Sequence, residues 1–292
     1  MDENVALARY TTIGTGGPAR WFARPESVDE LQGLLRWAAD ADVAVEVVGL
    51  GSNLLVADGG VDALVLKLAG ELASAEVDGD VLVAGGGAAN AVSLHRARAA
   101  GLGGFEFASA IPGTAGGGVR MNAGAYGREW KDVMLDALVV DAGGARTLTP
   151  QELDLSYRHS ALEPGEVVAR VRFRLEPSTP DAVKAGAAEL LAQRKATQPT
   201  NKRTFGSVFK NPPGARGAGA LIEACGLKGH PIGGAIVSPR HANFIENAGG
   251  ATTADCLALI AEARPRVHEE FGIELEHEVQ FLGPLDLPPL GE

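Results

Sequence analysis

The residues 194–210 include Arg194, Lys195, Lys202, Arg203 and Lys210 and not one Asp or Glu. The 292-residue chain as a whole holds 26 Lys and Arg against 37 Asp and Glu, a formal net charge of −11. A basic run is ordinarily a solvated surface, and composition alone favours that reading. This one encloses Gly206-Ser207-Val208-Phe209-Lys210-Asn211-Pro212, a small hydroxyl on a glycine turn flanked by apolar residues. No His or Asp stands near Ser207 in sequence to act as the base a nucleophile requires. Given an oriented partner that lends it acidity, Ser207 can instead serve as a proton donor.

Three glycine-rich stretches compete as phosphate cradles. Gly14-Thr15-Gly16-Gly17-Pro18-Ala19 formally fits a dinucleotide fingerprint, but no strand precedes it and Pro18 sits where the helix should begin, so it is rejected. Gly49-Leu50-Gly51-Ser52-Asn53-Leu54-Leu55 follows an apolar strand over 43–48, so its backbone N–H groups can form an anion nest. Residues 111–118 (IPGTAGGG) lead into Met121-Asn122-Ala123-Gly124-Ala125. Neither loop carries a P-loop lysine, so a phosphate there would rest on backbone donors. Two such loops flanking one β-rich segment suit a dinucleotide diphosphate lying between two subdomains.

The elements that must position these residues read as mixed α and β. Ser27 caps a helix, with Glu30 placed to complete a capping box, and Val28, Leu31, Leu34, Leu35 and Ala38 form its apolar face. Strands are expected over 63–68, 81–84, 135–141 and 146–148, with a helix over 89–100. Residues 168–175 alternate, with Arg170, Arg172 and Arg174 facing out. Thr179-Pro180-Asp181 opens a helix carrying Val183, Ala187, Leu190 and Leu191 inward, and 198–201 reads as a domain boundary. Helices follow over 215–224 and 253–271, the second kinked at Pro265 and closed by Gly272, then a last strand over 273–282 and a loose tail.

Composition excludes several classes. Hydrophobic residues make up 46% and charged residues 22%, which is ordinary globular composition. The acidic balance argues against nucleic-acid and anionic-membrane partners. Cys225 and Cys256 stand 31 positions apart without a CxxC pair, so neither a disulfide framework nor a cysteine metal site is expected. Both read as buried small hydrophobes on helices. No metal site, signal peptide or membrane span is expected, and a cytoplasmic protein is.

Taken in order, these motifs resemble the UDP-N-acetylenolpyruvoylglucosamine reductase family. The matching stretches are 12–19, 49–56, 111–127, Tyr157-Arg158-His159-Ser160, Gln198-Pro199, 206–212, 221–229, 238–245 and Glu278-Val279, which together cover nearly the whole chain. The resemblance implies an α+β architecture: an FAD-binding fold of the p-cresol methylhydroxylase type in two α/β subdomains, 1–70 and 71–197. A substrate-binding domain follows at 198–283, its last strand returning to the active site, with a tail at 284–292. About 70 residues separate Ser207 from Glu278, matching the shorter family type without an inserted tyrosine-bearing loop.

By the same resemblance, NADPH reduces non-covalent FAD, and a hydride from flavin N5 then reaches C3 of UDP-N-acetylglucosamine enolpyruvate, giving UDP-N-acetylmuramate for peptidoglycan. No His precedes His95 to link the flavin. Arg158 and Glu278 are implied to stabilise the enolate-like charge and Ser207 to protonate C2. Gly49, Gly51, Ser52, Asn53, Leu54, Gly113, Thr114, Gly116, Gly117, Asn122, Gly124 and Ala125 are implied to hold FAD. Lys210, Asn211, Arg194 and Lys195 are implied substrate neighbours, His241 and Asn243 structural, and the enzyme a monomer. Gly14, Thr204-Phe205 and Arg240 depart from the family's commoner residues. Two alternatives stay open: another FAD-linked oxidoreductase of this fold, and a non-catalytic UDP-sugar-binding protein.

Overall fold

Along the strand Val167–Arg174, Ala169, Val171 and Phe173 are buried while Arg170, Arg172 and Arg174 are exposed, the period-two pattern of a sheet with one wet face. It is the middle strand of a five-stranded antiparallel sheet, in the order Gly144–Leu148, Met134–Asp141, Val167–Arg174, Val81–Gly85, Ala75–Asp78. On the wet face Arg172 pairs with Asp136 and Arg174 with Asp80, exposed pairs that each add well under about 1 kcal/mol. The structure is a computed structural model and describes residues 1–214 and 216–289.

Two compact units divide the chain: the first holds Met1–Glu3, Trp21–Leu50 and Ala63–Arg194, the second Asn4–Arg20, Gly51–Asp62 and the chain from Lys195 onward. This partition differs from the consecutive one read from the sequence, because residues 4–20 and 51–62 belong with the C-terminal residues. Long-range hydrogen bonds are the reason: Asn247 donates to the Ile13 carbonyl, and the hydroxyls of Thr253 and Thr15 bond to each other. Leu54–Val56 runs parallel to Gln280–Leu282, and Thr253 donates its N–H to Asp58 and its hydroxyl to the Val56 carbonyl. The tail is also less loose than its prolines suggest. Leu285 and Leu287 pack on the second core, and Arg264 donates to the Pro288 carbonyl at 3.0 Å. Ala215, with which one expected helix began, and the end of the tail from 290 lie outside the described residues.

In the first unit, helix α1 (Val28–Asp40) starts at Ser27, whose hydroxyl accepts the Glu30 N–H at 3.2 Å. The Glu30 carboxylate accepts from Glu26 rather than from Ser27, so the capping box is displaced by one residue. Leu31, Leu35 and Ala38 pack into a core with Leu64 and Leu66 from the strand Val61–Leu66, which pairs in parallel with Val45–Val47. Helices α2 (Asn90–Ala99) and α3 (Ala115–Arg120) lie over a second core where Phe105, Phe107, Trp130 and Phe173 meet at tilted and edge-on angles. Gly118 is required there, since a Cβ would run into the Trp130 ring. Helix α4 (Pro180–Thr197) buries only Val183; Ala187, Leu190 and Leu191 are half-buried.

In the second unit the sheet order is Thr204–Ser207, Phe244–Asn247, Ala235–Val237, Pro231–Ile232, all antiparallel. It packs with α5 (Ala218–Ala224) and α6 (Thr253–Phe271) around Leu221, Ile222, Cys256, Leu259, Ile260 and Val267. Thr252 and Asp255 form the capping box of α6, which stays helical through Pro265 and ends at Gly272 with φ +67°. The strand expected over 273–282 is ordered as a strand only at Gln280–Leu282. Its upstream half shares hydrogen bonds with 208–210 instead: Lys210 N–H to Glu276 carbonyl and Glu278 N–H to Val208 carbonyl. Cys256 is the buried hydrophobe expected, its thiol pushed up to about 12 by burial. Cys225 is not: it caps the C-terminus of α5 and is partly exposed.

Candidate functional site

The second unit draws Ser207, Glu278 and the 51–54 loop together. Thr204 pairs with Glu246 and Ser207 with Phe244, so three steps on one strand oppose two on the other. The extra residue makes a bulge, and Gly206, at φ +85°, absorbs it. A bulge re-aims the side chain that follows it, here Ser207, which is half-buried. Gly206 also lies against the loop: a Cβ there would sit 3.0 Å from the Ser52 carbonyl.

Beyond the bulge the chain is gripped from both sides. Val208 N–H donates to the Asn243 carbonyl at 2.9 Å and the Val208 carbonyl accepts the Glu278 N–H at 2.8 Å. Asn53 Nδ2 donates to the Glu278 carbonyl at 3.1 Å, and Gln280 N–H to the Asn53 carbonyl at 3.0 Å. Thr12 joins the same cluster, donating its hydroxyl toward the carbonyls of Gly51 and Thr204. Glu278 is half-buried, whereas Glu274 and Glu276, in phase with it, are about 70% exposed at the side chain. Leu54 is buried in the parallel strand pair.

The first unit gathers the other set. Gly49 abuts Thr114 so closely that a Cβ would stand 2.8 Å from its hydroxyl oxygen. Thr114 caps α3, accepting the Gly117 N–H at 3.4 Å. The Ala115 and Gly116 N–H groups donate to the carbonyls of Ala88 and Gly86, so two of the donors expected to face an anion in this loop point into the unit instead. Gly117 is exposed and Gly113 half-buried.

Asn122, expected at the cofactor, is fully buried, and its amide holds protein: Nδ2 donates to Glu129 and to the Ser156 carbonyl, and Oδ1 accepts the Lys131 N–H. Ser156 opens the tight turn that ends at His159, in which Arg158 has φ +54°. Arg158 Nη2 donates to the Gly124 carbonyl at 3.0 Å, next to Ala125, and the guanidinium lies over the Tyr157 ring.

The substrate candidates have protein partners too. Lys210 Nζ pairs with Glu276 at 2.5 Å, and Asn211 Oδ1 accepts the Ala218 N–H at the start of α5. Lys195 is exposed, while burial, opposed by the nearby Tyr126, pushes Arg194 below its ordinary value. Arg240, a departure from the family pattern, donates to the Lys195 and Ala196 carbonyls and so caps the last turn of α4.

One cation escaped the sequence reading. Lys67, alone in the apolar run Ala63-Leu64-Val65-Leu66-Lys67-Leu68, donates Nζ to the Gly49 carbonyl at 2.7 Å. Burial, and then the Arg24 charge, push it below its ordinary value; it stands just past the strand Val61–Leu66 and sets a cation against the 49–55 loop. Among the described residues no three His, Cys, Asp or Glu cluster as a metal site would require, and no helix is long and apolar enough to cross a membrane.

Small residues at the loop tips, an exposed glycine backbone and a crowded cation at Gly49 suit the diphosphate of a dinucleotide cofactor. Residues 19–149 match the model of the FAD binding domain, and 198–282 that of the UDP-N-acetylenolpyruvoylglucosamine reductase C-terminal domain. The protein is thus an FAD-binding domain joined to the C-terminal domain of a reductase family. UDP-N-acetylenolpyruvoylglucosamine reductase of Anaeromyxobacter dehalogenans is 48% identical over 98% of this chain and 86% of its own length. That of Erythrobacter litoralis is 44% identical over 97% and 88%. The crystal structure of the Thermus caldophilus enzyme superposes with a TM-score of 0.84 at 38% identity, covering 96% of this chain and 98% of that one. The chain belongs to the UDP-N-acetylenolpyruvoylglucosamine reductase family.

Proposed function

We propose that this chain reduces the enolpyruvyl group of UDP-N-acetylglucosamine enolpyruvate to give UDP-N-acetylmuramate for peptidoglycan, using NADPH, as a cytoplasmic monomer. The reading is supported above all by the second unit, where the Ser207 bulge is hydrogen-bonded to the segment carrying Glu278 in a chain of this family. Non-covalent FAD, when bound, supplies the hydride that adds to C3 of the enolpyruvyl group. The Ser207 hydroxyl gives its proton to C2, completing the addition of two hydrogens across the double bond, and solvent returns a proton to Oγ. Until then negative charge rests on C2 and the adjoining carboxylate. The Arg158 guanidinium and Glu278 stabilise it. Lys210, Asn211, Arg194 and Lys195 serve the rest of the substrate.

Backbone groups of Gly49, Gly51, Ser52, Asn53 and Leu54 and of Gly113, Thr114 and Gly117 would hold FAD in this reading, together with Gly124 and Ala125, while the Gly116 N–H stays bonded to the Gly86 carbonyl. Asn122 acts instead on the protein, bonding Glu129, Lys131 and the Ser156 carbonyl of the turn that carries Arg158. Lys67 supplies positive charge to the diphosphate at Gly49. Replacing it, Lys67→Met, should weaken FAD binding to the apoprotein about tenfold, the scale of one charge-assisted hydrogen bond. The affinity should also become less sensitive to salt. A weaker affinity with unchanged salt dependence would reduce Lys67 to a brace for the Gly49 carbonyl.

The reading as a whole is tested by following the yellow flavin band anaerobically. NADPH should bleach it, and UDP-N-acetylglucosamine enolpyruvate should then restore it. Bleaching without recovery would mean another acceptor; no band after FAD is supplied would overturn the flavoenzyme reading.

A further inference from the structure

The strand that carries Ser207 runs out of ladder immediately after it. Its partner Phe244–Asn247 ends at Phe244, the residue paired with Ser207, yet the chain stays hydrogen-bonded for two residues more. Asn243 makes that extension. Its backbone carbonyl accepts the Val208 N–H, and its side chain then acts as a second peptide group, accepting the Phe209 N–H at 3.0 Å and donating to the Phe209 carbonyl at 2.9 Å.

Asn243 is 3% exposed, and both amide groups are committed to the one residue. Its own N–H donates to His241 Nδ1 at 3.2 Å, which fixes the turn it stands on. Opposite, the Val208 carbonyl and Lys210 N–H bind the backbone of Glu278 and Glu276. Residues 208–210 therefore lie between Asn243 and the Glu278 segment.

We propose that Asn243 is a positioning residue for the reductive step: its side-chain amide continues the ladder past the bulge and sets Ser207 and Glu278 in register with each other. The inference rests on the proton-donor reading of Ser207. The physical case is that a bulge loosens a strand where it occurs, so an adjacent side chain must restore the pairing if Ser Oγ is to be held to within an ångström. No apolar residue can do this. Asn243→Ala leaves the buried N–H and carbonyl of Phe209 unsatisfied.

Stopped-flow absorbance separates the two halves of the cycle. Asn243→Ala should bleach with NADPH within about twofold of the unmodified rate and recover with substrate on the order of 10²-fold more slowly. Hydrogen exchange over 205–211 should accelerate. Asn247→Ala is the control for lost stability, because that half-buried amide bonds to Ile13, Gly249 and Ala251 instead. It should leave the recovery rate unchanged.

Asn243→Asp covers the case in which the alanine variant does not fold. Its carboxylate cannot donate to the Phe209 carbonyl, but its protonated form can, so recovery relative to the unmodified protein should improve as pH falls. Parallel slowing of both halves, the same split in Asn247→Ala, or an aspartate variant with no relative gain at low pH would overturn the proposal. Ser207→Ala run alongside separates the two readings. If it recovers at the unmodified rate, the proton-donor reading itself fails; if it is slow while Asn243→Ala is not, only the role of Asn243 fails.

Discussion

Ser207→Ala protein is expected to bleach with NADPH at close to the unmodified rate and to regain its yellow band 10²–10⁴ times more slowly on adding substrate, the range that a positioned general acid contributes. The asymmetry follows from what each half needs. Bleaching requires NADPH and FAD to meet, and no proton passes through a serine. Recovery requires a proton at C2, and a methyl group offers none. Ser207→Cys should recover faster than Ser207→Ala, since a thiol on the same bulge still has a proton to give. The alanine variant should melt within about 1 kcal/mol of the unmodified protein, because Ser207 is half-buried and its strand is held by backbone bonds. Stopped-flow absorbance with a thermal melt measures all three. Equal slowing of both halves would remove Ser207 from the proton path.

Much of the frame was legible because local rules suffice for it. The Ser27 cap, the alternation over 168–175, observed as the strand Val167–Arg174, and the glycine stop at Gly272 depend on residues close together in sequence. The last strand shows the limit of such rules. Ile273, Leu275, His277, Val279 and Phe281 share one face, and Leu275 and Val279 are indeed buried. Alternation tells which side chains face inward, not which backbone they bond. Here the hydrogen bonds change partner from 208–210 to Leu54–Val56 part-way along. The joining of 4–20 and 51–62 to the C-terminal unit was hidden for the same reason: it is made by hydrogen bonds between residues 192 to 238 positions apart.

The site was legible as motifs and illegible as geometry. GSVFKNP gives the serine and the glycine but not the bulge, which exists only against Phe244 and Glu246. The cation at Gly49 is not legible in the glycine loops themselves, because the Lys67 side chain arrives from just beyond the strand Val61–Leu66. The family resemblance gives Asn243 as structural and puts Asn122 at the cofactor. Only burial and hydrogen bonding separate such braces from ligand contacts, and both asparagines bond to backbone that carries a proposed catalytic group.

Arg158 should be indispensable and costly at once. Its φ of +54° is in the left-handed region, where a non-glycine residue is strained by about 1 kcal/mol or more. The turn Ser156–His159 imposes that conformation, and Asn122 anchors it through the Ser156 carbonyl. An arginine kept where glycine would fit better points to selection for its guanidinium. Arg158→Ala is therefore expected to lower the recovery rate on the order of 10²–10³-fold, the loss of one preorganised electrostatic contact to developing charge. Arg158→Lys should regain little, because one ammonium cannot both donate to the Gly124 carbonyl and meet the substrate as a fork does. Arg158→Gly should be as slow as the alanine variant yet more stable than it by about 1 kcal/mol, since glycine takes a positive φ without strain. Recovery kinetics with urea unfolding of the three variants decide this. If the glycine variant is no more stable than the alanine one, the turn is not strained; if the alanine variant recovers at the unmodified rate, Arg158 does not meet the developing charge.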